Sequence, residues 1–129
     1  MKPRILVGDD ELSLREVFKS YLAMVGFDVD LVETPDELIE KARIAHDTDT
    51  RYTLIASDFN YNANIDGIEA ISRIRKFDKE TLILLHSAVI FGENDELAVR
   101  AREAGSNYAL PKMGLDSFKV VLEKISKSK

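Results

Sequence analysis

Three aspartates, a serine and a lysine are the residues of this chain whose types could do chemistry together: Asp9 and Asp10, Asp58, Ser87 and Lys112. Each stands at or just beyond the end of a short apolar run, such as Ile5-Leu6-Val7 before the first pair and Leu54-Ile55-Ala56 before Asp58. Runs of that length bounded by polar residues read as buried strands, so the polar residues should emerge at strand ends. Three carboxylates brought together repel one another unless protons or a cation sit among them. A hard divalent ion meets that need, and Mg²⁺ takes a few carboxylates, carbonyls and waters while leaving room for phosphate oxygens. If Asp58 attacks phosphorus, charge on the equatorial oxygens must be spread over the metal, a fixed cation and hydrogen-bond donors. Lys112 offers the cation and the Ser87 hydroxyl the donor. Singly, each residue has a plainer reading: an N-cap, a turn former, a solvated lysine. Their joint placement at successive strand ends is what points to phosphoryl transfer.

The elements that must position them follow from periodicity. Residues 4–8 read as a first strand. Leu14, Val17, Phe18, Tyr21, Leu22 and Val25 then line one face of a helix that Gly26 stops. Phe27-Asp28-Val29-Asp30-Leu31-Val32 alternates as a half-buried edge strand, with its acids expected on the open face. Thr34-Pro35-Asp36-Glu37 is a capping residue, a first-turn proline and a glutamate, which together start a helix expected to run to about Ala45. After a polar loop at 47–51 comes the strand ending at Asp58, and then a loop rich in asparagine at 59–65. Asp66-Gly67 opens a helix carrying Ile68, Ile71 and Ile74 inward. A strand at 81–85, a helix at 94–104 stopped by Gly105, a strand at 107–110 and a helix from about Leu115 complete the chain. Lys124, Lys127 and Lys129 suit the end of that last helix electrostatically and are not read as a nucleic-acid patch. Strands alternating with helices imply parallel βαβ units with helices on both faces.

The 129 residues fit one domain, 1–129. A net charge of −5 disfavours general attraction to DNA or to anionic membrane. Cysteine is absent, which excludes disulfides, thiolate metal sites and cysteine nucleophiles. The first apolar run is too brief for a signal segment or a membrane span, and a cytoplasmic protein is expected.

Taken in order, Ile5-Leu6-Val7-Gly8-Asp9-Asp10-Glu11, Leu54-Ile55-Ala56-Ser57-Asp58 with Asp66-Gly67, Ser87-Ala88, and Ala104-Gly105 with Lys112 seven residues on resemble the receiver domain of bacterial two-component response regulators. The resemblance covers essentially the whole chain. It implies a flavodoxin-like, doubly wound, five-stranded parallel sheet of order 2-1-3-4-5 with five helices, an order the chemotaxis regulator illustrates. It implies that Asp58 accepts a phosphoryl group from a phosphohistidine of a sensor kinase or phosphotransfer protein. Asp10 and Asp58 would ligate Mg²⁺, with Asp9 assisting partly through water and the Asn60 backbone carbonyl completing the protein ligands. Ser87 and Lys112 would hold the phosphoryl oxygens, and the surface of the fourth helix, fifth strand and fifth helix would report the change to an effector protein. Such a domain assists its own phosphorylation and dephosphorylation and is not otherwise an enzyme.

The sequence departs from the family pattern at four places. The loop after Asp58 is one residue longer than usual, with Tyr61-Asn62-Ala63-Asn64 in place of a Met-Pro segment, which leads us to expect a looser loop. Pro111 precedes Lys112, where a proline usually follows, and Met113 comes next. Ala109 stands where an aromatic is common, and Tyr108 should face the opposite way. Val89 is apolar where the family often has a polar residue near the attacking water. The histidines read as structural: His46 at a helix end, and His86 as packing or surface, pointing away from Ser87. Two other readings compete. One is a receiver-like scaffold without phosphoryl switching, suggested by Ala109 and Pro111. The other is a flavin-binding or hydrolytic α/β enzyme, disfavoured because Gly8-Asp9-Asp10-Glu11 would repel a phosphate and no Gly-rich lysine loop is present.

Overall fold

The computed structural model describes residues 2–92, 94–112 and 115–127, so Met113 and Lys129 lie outside the described residues. The elements alternate throughout: β1 (Arg4–Gly8), α1 (Leu12–Met24), β2 (Asp28–Val32), α2 (Pro35–Asp47), β3 (Leu54–Asp58), α3 (Gly67–Arg75), β4 (Leu82–Ser87), α4 (Glu96–Ala104), β5 (Tyr108–Pro111) and α5 (Asp116–Lys127). All strand pairs are parallel and the sheet order is β2-β1-β3-β4-β5, as the resemblance implied. No described helix is long and apolar enough to cross a membrane.

Strand alternation divides the core in two. Leu6, Ile55, Ile83 and Leu85 face α2, α3 and α4, where they meet Leu38, Ile71 and Ala98. Val7, Leu54, Ala56 and Leu84 face α1 and α5, against Phe18, Leu22, Phe118 and Val121. Every residue of β3 is buried, because both of its faces are covered and it has a strand on either side.

The helix starts obey their local chemistry. The Thr34 hydroxyl accepts from the Glu37 N–H at 3.1 Å and Glu37 Oε1 accepts from the Glu33 N–H at 3.3 Å, a reciprocal cap for α2. Asp66 Oδ1 accepts from the Glu69 N–H at 2.8 Å and so fixes the start of α3. α4 begins at Glu96, later than the expected position 94, because Asp95 serves as its cap: Oδ1 accepts from Leu97 N–H at 2.9 Å and Oδ2 from Phe91 N–H at 3.2 Å. On β2, Asp28 is exposed as expected, but Asp30 is not free on an open face. It accepts from the Tyr52 hydroxyl at 2.6 Å and lies 3.6 Å from the Arg4 guanidinium, a long-range cluster that periodicity alone does not reveal.

Two packing features bear on the site. Gly67 lets the start of α3 press against the end of β3: a Cβ there would lie 1.9 Å from the Asp58 carbonyl oxygen, and the Gly67 N–H donates to the Phe59 carbonyl at 2.7 Å. His86 is fully buried between the rings of Phe18 and Phe118, at centroid distances of 5.5 and 5.6 Å, with neither ring nitrogen hydrogen-bonded. It is therefore a packing residue, and burial, aided by the Lys112 charge, lowers its pKa to about 3.

Both features predict measurable stability effects. Gly67→Ala should cost about 2–3 kcal/mol, since its new methyl meets backbone with no flexible end to yield; urea unfolding measures it. For His86, the folded state holds the neutral ring while the unfolded state takes up a proton below the ordinary value of 6.5. Its contribution is thus intact above that pH and is lost as pH falls, by about 1.4 kcal/mol per pH unit. Between pH 7 and 5, His86→Leu should lose less stability than wild type by that slope, and parallel curves would disprove the account.

Candidate functional site

The site lies at the carboxyl ends of the strands, and strand parity decides which side chains meet there. Asp9 continues the parity of Val7, Asp58 that of Ala56 and Lys112 that of Leu110, all of them on the α1–α5 side of the sheet. Lys112 Nζ accordingly lies 2.7 Å from Asp9 Oδ2 and 3.1 Å from Asp58 Oδ2, with Glu11 Oε1 farther away at 3.7 Å. Asp9 is fully buried and Asp58 nearly so, while Asp10 is half-buried at the rim. One carboxylate oxygen from each of Asp9, Asp10 and Asp58 falls within a common span of 4.8 Å.

Backbone contacts set each of these groups. Asp9 N–H donates to Val32 O at 3.0 Å, Asp9 Oδ1 accepts from Glu11 N–H at 2.9 Å, and the Asp9 carbonyl accepts from Arg15 at 2.9 Å. Asp9 thus ties β1 to the start of α1 and leaves Oδ2 for the pocket. Asp58 Oδ1 accepts from the Phe59 N–H at 2.8 Å, which leaves Oδ2 to Lys112. Ser87 is buried; its Oγ accepts from the Val89 N–H at 3.2 Å and keeps its own proton to donate.

The lysine is in place despite the displaced proline. Lys112 N–H donates to the Ser87 carbonyl at 3.0 Å, one step past the Ser87–Pro111 register pair, so the β4–β5 ladder aims the side chain. Tyr108 and Ala109 face opposite sides, as alternation required. Ala109 is buried with α4, while Tyr108 lies on the α5 side with Lys124 Nζ 5.8 Å from its ring. The two departures that suggested a mere scaffold therefore leave the pocket assembled.

The loop at 59–66 differs from expectation. Tyr61 is buried rather than swinging free, and its hydroxyl lies 2.8 Å from Ser57 Oγ. Asn62 takes the left-handed conformation, φ 52, and its Nδ2 donates to Asp10 Oδ2 at 3.1 Å. In the sequence both stand only within Tyr61-Asn62-Ala63-Asn64, the segment that suggested a looser loop. A signal for Tyr61 existed in Gly8, a glycine inside a strand, where close approach by another group is the usual reason. A Cβ there would lie 2.3 Å from the Tyr61 hydroxyl oxygen.

The electrostatics follow from burial and charge count. Burial pushes the Asp58 carboxyl above its ordinary value and the Asp9 charge adds to this, while Lys112 opposes both. For Lys112, burial disfavours the ammonium, but the Asp9 hydrogen bond and the Asp58 charge outweigh it and raise the pKa. Three carboxylates against one ammonium leave an excess of two negative charges. The donors are all oxygen, closely grouped and in excess of the local positive charge, so the residues present fit a hard divalent cation such as Mg²⁺. A pocket of about 320 Å³ opens over them, lined also by Asn60, Asn62, Ala88 and Val89. It holds several water-sized groups, enough for an ion with its waters and a phosphoryl group.

Comparison with known proteins agrees with this arrangement. The chain matches the family model of the response regulator receiver domain over residues 5–121. No curated protein sequence matches significantly. Among solved structures, a CheY-like receiver domain protein of Methanospirillum hungatei superposes with a TM-score of 0.80 at 20% identity, covering 98% of this chain and 96% of that one. The response regulator TrrA of Thermotoga maritima, solved in complex with Mg²⁺-BeF, gives a TM-score of 0.74 at 28% identity over 95% of this chain and 97% of its own. A chemotaxis protein of the CheY type from Vibrio cholerae gives 0.80 at 23% identity, over 96% and 98%. With the family model spanning nearly all of the chain and the strand-end pocket built as described, this protein belongs to the response regulator receiver domain family.

Proposed function

We propose that this chain is a phospho-acceptor signalling module in which Asp58 receives a phosphoryl group from a phosphohistidine of a sensor kinase or phosphotransfer protein. The observation that carries the reading is the meeting of Asp58 with Asp9, Asp10 and Lys112 in one buried pocket. An oxygen of Asp58 forms the new P–O bond as the donor's P–N bond breaks, and the imidazole leaves with the electron pair. Lys112, already 3.1 Å from Asp58, holds a phosphoryl oxygen, and the Ser87 hydroxyl donates its free proton to another. Asp9, Asp10, Asp58 and the Asn60 carbonyl are the groups that would hold Mg²⁺. When bound, that ion supplies positive charge against the phosphoryl oxygens. That the Thermotoga regulator TrrA was solved in complex with Mg²⁺-BeF supports the reading that this chain takes up Mg²⁺.

The aspartyl phosphate biases a two-state equilibrium, and the α4–β5–α5 face reports it to an effector protein. The domain thus assists its own phosphorylation and dephosphorylation, with no separate substrate turned over. Val89 lines the pocket and is 54% exposed, so the position beside the acceptor offers no polar atom to orient an attacking water. Slow loss of the phosphoryl group follows.

Incubation with Mg²⁺ and acetyl phosphate should add one phosphoryl group to wild type by mass spectrometry, and none to Asp58→Asn or in the presence of EDTA. An unmodified wild type under saturating donor would refute the reading. Val89→Glu should shorten the phosphoryl lifetime, and an unchanged lifetime would count against the role given to that side chain. Because the native state raises the Asp58 pKa above its unfolded value, stability contributed by the protonated form is lost as pH rises through the native value. Asp58→Asn should therefore unfold at a higher temperature than wild type at pH 7.5 in EDTA, and this advantage should shrink toward pH 4.

A further inference from the structure

Loop residues 60–62 are built differently from a simple connection. Tyr61 reaches back beneath the pocket on the α2 side of the sheet, over Gly8 and beside Leu38. Ser57 Oγ donates to the Asp58 carbonyl at 2.9 Å, so its single proton is used and the Tyr61 hydroxyl must be the donor in their 2.8 Å contact. The next residue turns outward: Asn62 N–H donates to Asn60 Oδ1 at 3.0 Å, and its left-handed backbone carries the side-chain amide to Asp10 at 3.1 Å.

We propose that Tyr61 and Asn62 are positioning residues that act as a clasp on Asp10: Tyr61 anchors the loop at Ser57, and the Asn62 amide holds Asp10 Oδ2 so that Oδ1 is left for the cation. The inference rests on the proposed use of the pocket for a divalent ion. It addresses the acid that the rest of the fold secures least. Asp9 and Asp58 are buried and paired with Lys112, while Asp10 is at the rim, and among the described residues the Asn62 amide is the one side chain that donates to it. A carboxylate free to rotate there would lose conformational freedom on binding the ion, and the clasp removes that loss beforehand.

The test is Mg²⁺ titration by isothermal calorimetry on the full chain, with thermal unfolding in EDTA alongside. Asn62→Gly removes the amide but tolerates the left-handed backbone. It should weaken Mg²⁺ binding about two- to tenfold, the worth of one such hydrogen bond, and leave the EDTA unfolding midpoint close to wild type. Tyr61→Phe, which keeps the ring and loses the donor, should weaken Mg²⁺ binding by a smaller factor. The double variant should bind no more weakly than Asn62→Gly alone, because Tyr61 acts through Asn62. Equal or tighter Mg²⁺ binding by Asn62→Gly overturns the clasp while wild-type binding leaves the ion site standing. Additive losses in the double variant overturn the route through Asn62. A wild type that takes up no Mg²⁺ overturns both the ion site and the clasp built on it.

Discussion

Mutual repulsion among Asp9, Asp10 and Asp58 is the constraint on which the rest of this structure depends. Like charges within 4.8 Å cost on the order of 3 kcal/mol per pair at an effective dielectric near 20. A domain of this size is stable by only about 5–15 kcal/mol, so the grouping is a strain that the fold must hold against. The ammonium of Lys112, touching two of the three, offsets part of it. The remainder is resisted by register: β1 and β3 are locked side by side from Ile5–Leu54 to Gly8–Ser57, and a one-residue slip would turn every apolar side chain to the wrong face. The hydrophobic core and the acidic pocket are thus two consequences of one alignment.

The same alignment explains how the pocket survives sequence changes that look damaging in isolation. The lysine's position is set by its own N–H on the Ser87 carbonyl and by the β4–β5 ladder below it, so a proline on either side is secondary. His86, the residue before Ser87 in β4, packs its ring between Phe18 and Phe118 on the opposite side of the sheet. An imidazole without hydrogen bonds is an expensive filler, tolerated because it stays neutral near pH 7.

Much of this is legible in the sequence itself. The apolar runs, the Thr34 and Asp66 caps and the Gly105 stop are local signals, and the structure obeys them. Asp9, Asp10, Asp58, Ser87 and Lys112 were legible because each sits at the end of a run whose burial forces its position. The Asp30–Tyr52–Arg4 cluster was not, since it joins β2 to residues outside its own repeat pattern. The burial of Tyr61 was legible only indirectly, through the glycine at position 8, because its own stretch has no periodicity. Its partner surface, Gly8 and Ser57, comes from β1 and β3, and only their folded register brings the missing Cβ of Gly8 and the Ser57 hydroxyl together under the Tyr61 phenol.

The two sides of the sheet consequently do different work at the pocket. On the α1–α5 side, parity gathers Asp9, Asp58 and Lys112 above a floor of aromatic rings, where low polarity magnifies any change in charge. On the α2–α3 side, Gly8, Ser57 and Tyr61 form a hydrogen-bonded and sterically filled support that carries the loop bearing Asn60 and Asn62 to the rim. Charge is therefore concentrated where the sheet is covered by apolar packing, and adjustable polar contacts lie where the loop meets water. Of the three acids, Asp10 alone lies at the rim, held there by the loop. Asp9 and Asp58 instead share the Lys112 ammonium within the buried part of the pocket.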